Sequence, residues 1–388
     1  MSARPLRILT VANVPPDPDS GAAGTVYATN VALREIGHEV DEIWAEHLLP
    51  RRLVHGNLHS LFEQPRSYRR EVLKAVAAKP YDAVMISQPQ GWMAARELRR
   101  QNFPGVVVNR SHGVELRADA ALNEWHQKLG VPASRFPWGT RMLQSLLQRQ
   151  WPLAVRYSDG VVVPSNADRD CLLSDVHGPP EKVRCIHHGV SERFSSAERM
   201  VKTKRHGVLY VGQHSFIKGP MIVADVFNQI LSRFPEQTAT WVTSKTAHPQ
   251  IRSLLEDKIA HRVQLLDWMQ NESLLEHYDS SALFLFPSFM EGAGKAALEA
   301  MSRGLCVVSS ATGGMVDYIR HGHSGLLCPV GNASAFVSEV TRALSTGNWQ
   351  AMGEKASQFA KTKTWERTAS ELADFFRELQ SRSVASIL

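Results

Sequence analysis

The sequence predicts an α/β protein built from two doubly wound parallel sheets. Short apolar segments that indicate buried strands alternate with helical patterns along the whole chain. This alternation is typical of parallel α/β architecture. The chain has 388 residues, which is long for a single hydrophobic core and favours two domains.

A first series of strands is predicted near residues 7–13, 39–44, 83–87, 106–109, 160–163 and 183–186. The first helix is predicted over residues 25–36, and Gly37 is a suitable residue to end it. A second series of strands is predicted near residues 208–211, 239–242, 263–266, 283–286, 306–309 and 325–328.

The joint between the two series is predicted in residues 195–205, a polar stretch without strand character. The predicted domains are therefore residues 1–195 and 196–364. Residues 365–388 follow, with an amphipathic helix predicted over 365–382. This helix either covers the second domain or returns to the first.

Charge and composition exclude some classes of protein. The net charge is +6, and residues 51–110 hold eleven Lys and Arg residues against four acidic ones. This segment is either a set of solvated helix faces or a basic surface for an anionic acceptor or anionic membrane. No nucleic-acid-binding motif is present.

Several features predict a cytoplasmic protein, with peripheral membrane association as an open alternative. The apolar runs are shorter than the roughly 20 residues of a membrane span. The basic and apolar start of the chain is interrupted by Pro15 and Pro16, which favours a first strand over a signal peptide. The four cysteines form no C-x-x-C pair, so reduced thiols are expected.

The most informative segment is residues 287–301, with the sequence PSFMEGAGKAALEAM. It follows an apolar strand and opens a predicted helix. Glu291 lies in the loop and Glu299 in the helix, and Gly292, Ala293 and Gly294 allow a ligand to approach the backbone. A helix N-terminus attracts phosphate, and carboxylates accept hydrogen bonds from sugar hydroxyls. Residues eight apart on a helix differ by about 80° around its axis, so each acid is expected to contact a different part of the ligand.

This segment resembles the signature of the retaining glycosyltransferases of family four, which have the two-Rossmann GT-B fold. Their pattern is Pro-Ser, two residues, Glu-Gly, then Leu-Glu-Ala-Met and a later Gly, which matches through Gly304. The resemblance implies two Rossmann-like domains facing across a cleft, the first for the acceptor and the second for the nucleotide sugar. It implies that Glu291 contacts the transferred sugar and Glu299 the ribose. A helix N-terminal carboxylate favoured by the dipole is the structural alternative for Glu299.

Three further features of the second domain match the family in part. After its first strand come Gly212, Gln213 and Lys218, where the family has Gly-Arg, a short loop and Lys-Gly. Lys218 is therefore predicted to neutralise the leaving phosphate, while Gln213 replaces the usual Arg. Lys295 either supplies the missing charge or is solvated. The pair at residues 313–314, Gly313-Gly314, either brings backbone near the sugar or forms a plain turn.

In the first domain, Gly21 and Gly24 correspond to the Gly-rich loop that the family places near acceptor and donor phosphate. His112 follows a predicted strand and corresponds to a family histidine near the transferred sugar. A structural role is its alternative.

No metal site is predicted. Asp17 and Asp19 imitate a D-x-D motif, but their proline-rich setting and the lack of a ligand cluster argue against metal. Cys185, His187 and His188 are interpreted as loop residues, because adjacent residues of an extended chain point to opposite faces.

The prediction is therefore a metal-independent retaining glycosyltransferase that uses a nucleotide sugar as co-substrate and needs no other cofactor. The acceptor is left open among glycan, lipid-linked and small-molecule classes. The alternatives are a nucleotide-sugar isomerase of the 2-epimerase type and a non-catalytic nucleotide- or glycan-binding protein. A hydride-transfer enzyme ranks lower, because no G-x-G-x-x-G follows the first strand.

Overall fold

The computed structural model of the chain describes residues 4–131, 137–195 and 205–385. These residues form two compact units. The first comprises residues 4–119, 137–189 and 365–385, and the second comprises residues 120–131, 190–195 and 205–364. Residues 120–131 and 190–195, which the sequence assigned to the first domain, thus group with the second unit. Most of the predicted joint lies outside the described residues.

The first unit contains a six-stranded parallel sheet with the strand order β2-β1-β3-β4-β5-β6. Each strand lies within two residues of its predicted position. The strands are β1 Arg7–Val11, β2 Glu39–Ile43, β3 Ala83–Ser87, β4 Val106–Arg110, β5 Gly160–Val163 and β6 Val183–Cys185. The strand order reverses at β1, which pairs with β2 on one side and β3 on the other.

Helices connect these strands. The α-helices before residue 196 are α1 Ala22–Glu35, α2 Gly56–Leu58, α3 Gln64–Ala78, α4 Trp92–Arg100, α5 Glu115–Lys128, α6 Pro137–Gln148, α7 Gln150–Tyr157, α8 Asn166–Ser174 and α9 Glu192–Ser195. A π-helical turn, His59–Glu63, joins α2 to α3, and 3-10 turns occupy Ala45–His47 and Pro89–Gly91. Helix α1 starts three residues before its predicted beginning. It ends before Gly37, whose φ of +92° favours glycine.

Both faces of the first sheet are covered, so β3 and β4 are buried along their whole length. One face packs against α1 and against the last helix, α18 Trp365–Ala385, through Leu33, Leu372 and Phe376. The other face packs against α3 and α4. The last helix of the chain therefore completes the core of the first unit.

The second unit contains a parallel sheet with the strand order β12-β11-β10-β7-β8-β9. Its strands also agree with the prediction within one residue. They are β7 Val208–Val211, β8 Ala239–Val242, β9 Val263–Leu266, β10 Leu283–Phe286, β11 Cys306–Ser310 and β12 Leu326–Cys328.

Helices cover both faces of this sheet as well. They are α10 Pro220–Arg233, α11 His248–Arg252, α12 Asp257–Ala260, α13 Asn271–Ser280, α14 Lys295–Ser302, α15 Gly314–Tyr318, α16 Ala333–Thr346 and α17 Trp349–Ala360, with 3-10 turns at Phe216–Lys218 and Lys245–Ala247. Helices α10 and α16 pack on one face, and α14 and α17 pack on the other. Within the described residues, no helix combines the length and the apolar character needed to cross a bilayer.

Candidate functional site

The candidate site of the second unit lies where the strand order reverses. Strand β7 has β8 on one side and β10 on the other. The connections that leave β7 and β10 therefore diverge to opposite faces, which creates a crevice at the carboxyl ends of the two strands. Open α/β sheets bind their ligands at this position. Lys218 follows β7 and Glu291 follows β10, so both side chains come from loops that border the crevice.

Lys218 and Glu291 form an ion pair in which Nζ lies 2.5 Å from Oε1. The hydroxyl of Ser288 also donates to this Oε1 at 2.6 Å. The Glu291 side chain is 8 % exposed and that of Lys218 is 26 % exposed. The ammonium thus neutralises a nearly buried carboxylate while it remains accessible from one side. Sequence reasoning gave the two residues separate roles, and the structure joins them.

Glu299 lies in the second turn of α14 and is buried. The Tyr278 hydroxyl donates to its Oε2 at 3.3 Å, and Lys295 Nζ lies 3.8 Å from Oε1 one helical turn away. Burial and the neighbouring Glu299 carboxylate raise the pKa of Tyr278 well above its usual value, so the phenol stays protonated and keeps donating. Each lysine predicted for phosphate is therefore placed beside one of the two predicted acids.

The loop between the acids brings backbone to the start of α14. Gly294 precedes the helix with a φ of +69°, and no side chain caps the helix. A helix start without a side-chain cap can direct backbone amides at a ligand, and the macrodipole adds positive potential there. A Cβ at Gly294 would lie 2.4 Å from Met315 Cε, so a larger residue cannot replace it without displacement. Gly292 and Ala293 complete this loop, and Ala293 is buried.

Close packing of the backbone requires glycine at positions 313 and 314. A Cβ at Gly313 would lie 1.9 Å from the Glu291 carbonyl oxygen, and one at Gly314 would lie 2.8 Å from the Ala293 carbonyl oxygen. The Gly314 amide donates to the Gly292 carbonyl at 2.7 Å. The two loops therefore pack backbone against backbone, and Gly313-Gly314 supports the segment that carries Glu291. A contact with the sugar stays a prediction.

Gly212 and Gln213 follow β7. A Cβ at Gly212 would lie 2.6 Å from the Tyr210 hydroxyl, which in turn donates to the Gln213 carbonyl at 3.4 Å. The Gln213 side chain is exposed. Its neutral amide supplies no charge at the position where the resembling family has a cation.

His112 follows β4 of the first unit. Its Nε2 lies 3.3 Å from the Ser87 hydroxyl, whereas Nδ1 is buried and has no hydrogen-bond partner among the described residues. Burial, and then the positive charge of Arg110, lower the pKa of His112 to about 3. The imidazole is therefore neutral at physiological pH. Its Nδ1 can form a hydrogen bond with a ligand, but the ring cannot supply a positive charge.

The predicted phosphate loop of the first unit leads into α1. Gly21 is the N-cap of the helix, no side chain caps it, and the space around its Cα is open. Gly24 is buried in the first turn of α1. These positions are consistent with close approach of a ligand, and their predicted role is not tested by the geometry of the unit.

The structure also places the other residues that were considered for metal. Asp17 Oδ1 accepts a hydrogen bond from the Asp19 amide at 2.9 Å, which is a turn within an exposed loop. Cys185 Sγ lies 3.6 Å from His187 Nε2, whereas the His188 ring faces Trp365 with ring centroids 5.8 Å apart. The two histidines thus point in different directions, as their adjacency in an extended segment predicts.

Sequence reasoning missed two residues that position the acids. Ser288 belongs to the Pro-Ser of the signature, so its proximity in sequence to Glu291 was a usable signal. Tyr278 lies 21 residues before Glu299 on a different helix, and no sequence pattern pointed to it.

Two family models cover most of the chain. Residues 20–194 match the model described as Glycosyltransferase Family 4, and residues 205–346 match the model described as Glycosyl transferases group 1. The chain belongs to the family-four glycosyltransferases. The predicted family resemblance is thereby confirmed.

Curated relatives of this glycosyltransferase agree with the assignment. The D-inositol 3-phosphate glycosyltransferase of Streptomyces bingchenggensis (strain BCW-1) is 26 % identical over 308 residues, which cover 74 % of this chain and 64 % of that protein. The chain thus spans just under two thirds of the relative's length.

Solved structures confirm the GT-B fold. The sucrose-phosphate synthase of Thermosynechococcus elongatus has a TM-score of 0.77 at 20 % identity, with 97 % of this chain and all of that chain covered. The Anabaena protein HepE, solved in complex with UDP and glucose, has a TM-score of 0.69 at 17 % identity over 96 % of this chain and all of that chain.

Proposed function

We propose that this family-four glycosyltransferase transfers a sugar from a nucleotide sugar to an acceptor, with retention of configuration and without a metal ion. The observation that supports the proposal most strongly is the Lys218–Glu291 pair, which borders the switch point of the second sheet beside the uncapped N-terminus of α14. A cation, a carboxylate and helix N-terminal amides are the groups needed to bind a phosphorylated polyol.

The nucleotide part of the donor is assigned to α14. Its first amides, with Lys295, bind the diphosphate, since a helix N-terminus and a nearby ammonium both favour negative charge. Glu299 accepts hydrogen bonds from the ribose hydroxyls. Tyr278 holds Oε2 of Glu299, so the carboxylate is oriented before the ligand arrives.

The sugar and the leaving group are assigned to the Lys218–Glu291 pair. Glu291 accepts hydrogen bonds from sugar hydroxyls, and Ser288 and Lys218 orient its carboxylate by donating to Oε1. The exposed side of the Lys218 ammonium stabilises the charge that grows on the departing phosphate. Loss of one preorganised electrostatic group of this kind typically costs about 3–4 kcal/mol of barrier.

No side chain is assigned as general base. In the retaining mechanism implied by the family, the departing phosphate takes the proton of the acceptor hydroxyl on the same face of the sugar. His112 is proposed as a neutral hydrogen-bonding group toward the substrate, because its lowered pKa removes the imidazolium form at neutral pH.

The relatives suggest substrates with which to begin. Curated relatives are named D-inositol 3-phosphate glycosyltransferases, and the structurally similar HepE was solved with UDP and glucose. We propose UDP-glucose as the first donor and a phosphorylated polyol as the first acceptor class to assay.

The test combines product analysis with binding. The purified chain is incubated with a panel of nucleotide sugars and with D-inositol 3-phosphate, with and without excess EDTA, and products are identified by mass spectrometry and NMR. We expect an α-glycoside and undiminished turnover in EDTA. An isomerised nucleotide sugar without glycoside would support the isomerase alternative, and nucleotide binding without turnover would support a binding protein.

Calorimetry then separates the roles of the acids. Glu299→Gln is expected to weaken UDP binding at least about tenfold, because the charge of the buried carboxylate and one of its two acceptor oxygens for ribose hydroxyls are lost. Glu276→Gln, on the exposed face of α13, is the matched control. An unchanged Kd for Glu299→Gln would remove Glu299 from the nucleotide site.

We also propose peripheral contact of the first unit with an anionic membrane. Val54, Trp138 and Met142 are 92 %, 87 % and 62 % exposed, and the helix α6 that carries the last two packs on α2. Val54 and α2 belong to the basic segment 51–74, and α6 brings Trp138 and Met142 to that segment. Exposed apolar side chains beside basic residues are typical of interfacial binding. Sedimentation with anionic vesicles is the test: Trp138→Ser should reduce binding, and equal binding to neutral vesicles would contradict the charge argument.

A further inference from the structure

Arg110, at the end of β4, is a buried cation without a counterion. The residue is 2 % exposed, and its Nη1 is shielded from solvent without a hydrogen-bond partner. Across residues 4–131, 137–195 and 205–385, its side chain forms neither an ion pair nor a hydrogen bond. Burial lowers the pKa of Arg110 to about 10, and no acidic neighbour opposes this shift.

The other arginines that are buried among the described residues, Arg303 and Arg205, are both paired. Arg303 Nη2 lies 2.6 Å from Asp279 Oδ2, and Arg205 Nη2 lies 3.9 Å from Asp279 Oδ1. Unpaired burial of charge is costly, and proteins normally avoid it by pairing or by coordination. Arg110 therefore needs an explanation that the packing of the first unit does not provide.

The position of Arg110 points to a ligand. Arg110 pairs in register with Ser87 of β3 and Val162 of β5, so its side chain shares the sheet face that α1 and α18 cover. Strand β4 ends at Arg110, which places the side chain at the carboxyl edge of the sheet. This edge is where α/β sheets bind ligands.

Both helices on this face direct their amino ends to the same edge. Helix α1 returns from the carboxyl end of β1, and no side chain caps its start. Helix α18 places Phe375 and Leu379 against Gly160, at the beginning of β5, so its amino end lies toward the opposite, carboxyl edge. Both helices therefore direct the positive ends of their dipoles toward the sheet edge at which Arg110 lies.

We propose that Arg110 binds a phosphate group of a substrate at the carboxyl edge of the first sheet. A guanidinium presents a planar fork that matches two phosphate oxygens. His112 is beside it as a neutral group, and its unpartnered Nδ1 provides a further hydrogen bond. That the phosphate belongs to a substrate rests on the proposed glycosyl transfer, whereas phosphate binding itself does not.

The phosphate can come from a phosphomonoester acceptor or from the diphosphate of the donor. Isothermal titration calorimetry and thermal unfolding are measured with inorganic phosphate, glycerol 3-phosphate and UDP, each against potassium chloride of equal ionic strength. Arg110→Met is compared with the wild type. Arg252→Met, which removes an exposed cation of the second unit outside the candidate site, is the matched control.

We expect Arg110→Met to bind at least one phosphate probe about 30-fold or more weakly, the usual effect of truncating one partner of a buried charge pair. Without ligand, the variant should unfold at a temperature no lower than the wild type, since an unpaired buried charge is gone. Weakened glycerol 3-phosphate binding assigns the acceptor's phosphate, and weakened UDP binding assigns the donor's. Unchanged affinity for all three probes would overturn the proposal.

A second variant and the affinity of the wild type make every outcome of this experiment decisive. Arg110→Lys retains the charge but not the fork, and should lose about tenfold in affinity; it replaces the Met variant if that variant does not fold. A wild-type protein that binds none of the probes also overturns the proposal. Absence of glycosyl transfer, with phosphate binding that still depends on Arg110, would contradict the proposed function and leave the anion site standing.

Discussion

Lys218 and Glu291 depend on each other. The carboxylate is almost buried, and both Lys218 and Ser288 donate hydrogen bonds to it. The lysine is a quarter exposed, so its interaction is weaker than that of a fully buried pair. The burial of the carboxylate and the partial exposure of the lysine are both set by how the two loops pack, not by the type of either residue.

A double-mutant cycle measures this coupling. Lys218→Met and Glu291→Gln should each lower the free energy of unfolding, and the double variant should lose about 1 kcal/mol less than the sum of the two. Urea unfolding of the four proteins provides the values. Additivity within about 0.3 kcal/mol would show that the contact carries no stability.

His112 should make the stability of the protein depend on pH. Its pKa is about 3 in the folded chain and near 6.5 when unfolded. Between these pH values the unfolded chain binds a proton that the folded chain does not. The stability that neutral His112 contributes is therefore full above pH 6.5 and falls as the pH drops toward 3. Between pH 8 and pH 5, the free energy of unfolding of His112→Gln should therefore fall by roughly 2 kcal/mol less than that of the wild type.

Urea unfolding at several pH values tests this prediction, and His261→Gln is the control for loss of an exposed imidazole. Parallel pH profiles for His112→Gln and the wild type would contradict the burial of a neutral His112.

At the level of elements, the site depends on two loops that touch through their backbones. The β10–α14 loop carries Glu291. The β11–α15 connection contacts that loop through Gly313 and Gly314. A side chain at either glycine would occupy the space of a carbonyl group. The position of Glu291 therefore depends on the packing of these two loops against each other.

Gly313→Ala should show this dependence. The residue has a φ of +54°, and its new Cβ would lie 1.9 Å from the Glu291 carbonyl oxygen. Gly322→Ala is a matched control, because its φ is +72° but nothing lies within 4 Å. The control should cost roughly 1–2 kcal/mol for the left-handed backbone, and Gly313→Ala about 1–3 kcal/mol more for overpacking.

Urea unfolding gives both values, and UDP calorimetry reports the position of the loop. Equal losses of stability in the two glycine variants would mean that the loops are free to separate.

At the level of the whole molecule, the chain leaves the first unit and returns to it. The last helix supplies Leu372, Phe375 and Phe376 to the core that β1 and β4 share. The first unit is thus complete only when the end of the chain is in place. Local opening of this helix should expose the first sheet.

Leu372→Ala tests the contribution of this helix. Leu372 is fully buried, so truncation should destabilise the first unit by about 2–5 kcal/mol. Asp374→Ala, on the exposed face of the same helix, removes only a surface ion pair and should change stability by less than about 1 kcal/mol. Hydrogen exchange of β1 and β4 amides measures the effect, with β7 and β10 as the internal reference. Unchanged protection in β1 and β4 would contradict the role of α18.

The fold was predictable because its signals are local. Each strand is a short apolar run ended by turn residues, so twelve strands could be located within two residues and two sheets inferred from their alternation. The signature at residues 287–301 was equally local, so its residues alone indicated the family. The start of α1 was misplaced by three residues, because Ala22, Ala23 and Gly24 form the first turn of the helix although glycine disfavours helix.

The remaining features depend on contacts between distant parts of the chain. Lys218 and Glu291 are 73 residues apart, and their pairing requires β7 and β10 to be neighbours, an order that the sequence pattern does not specify. The same holds for Tyr278 beside Glu299, for the last helix on the first sheet, and for the isolation of Arg110. Burial and pairing are properties of the assembled core, because whether a charge has lost its water or found a partner depends on every element packed around it.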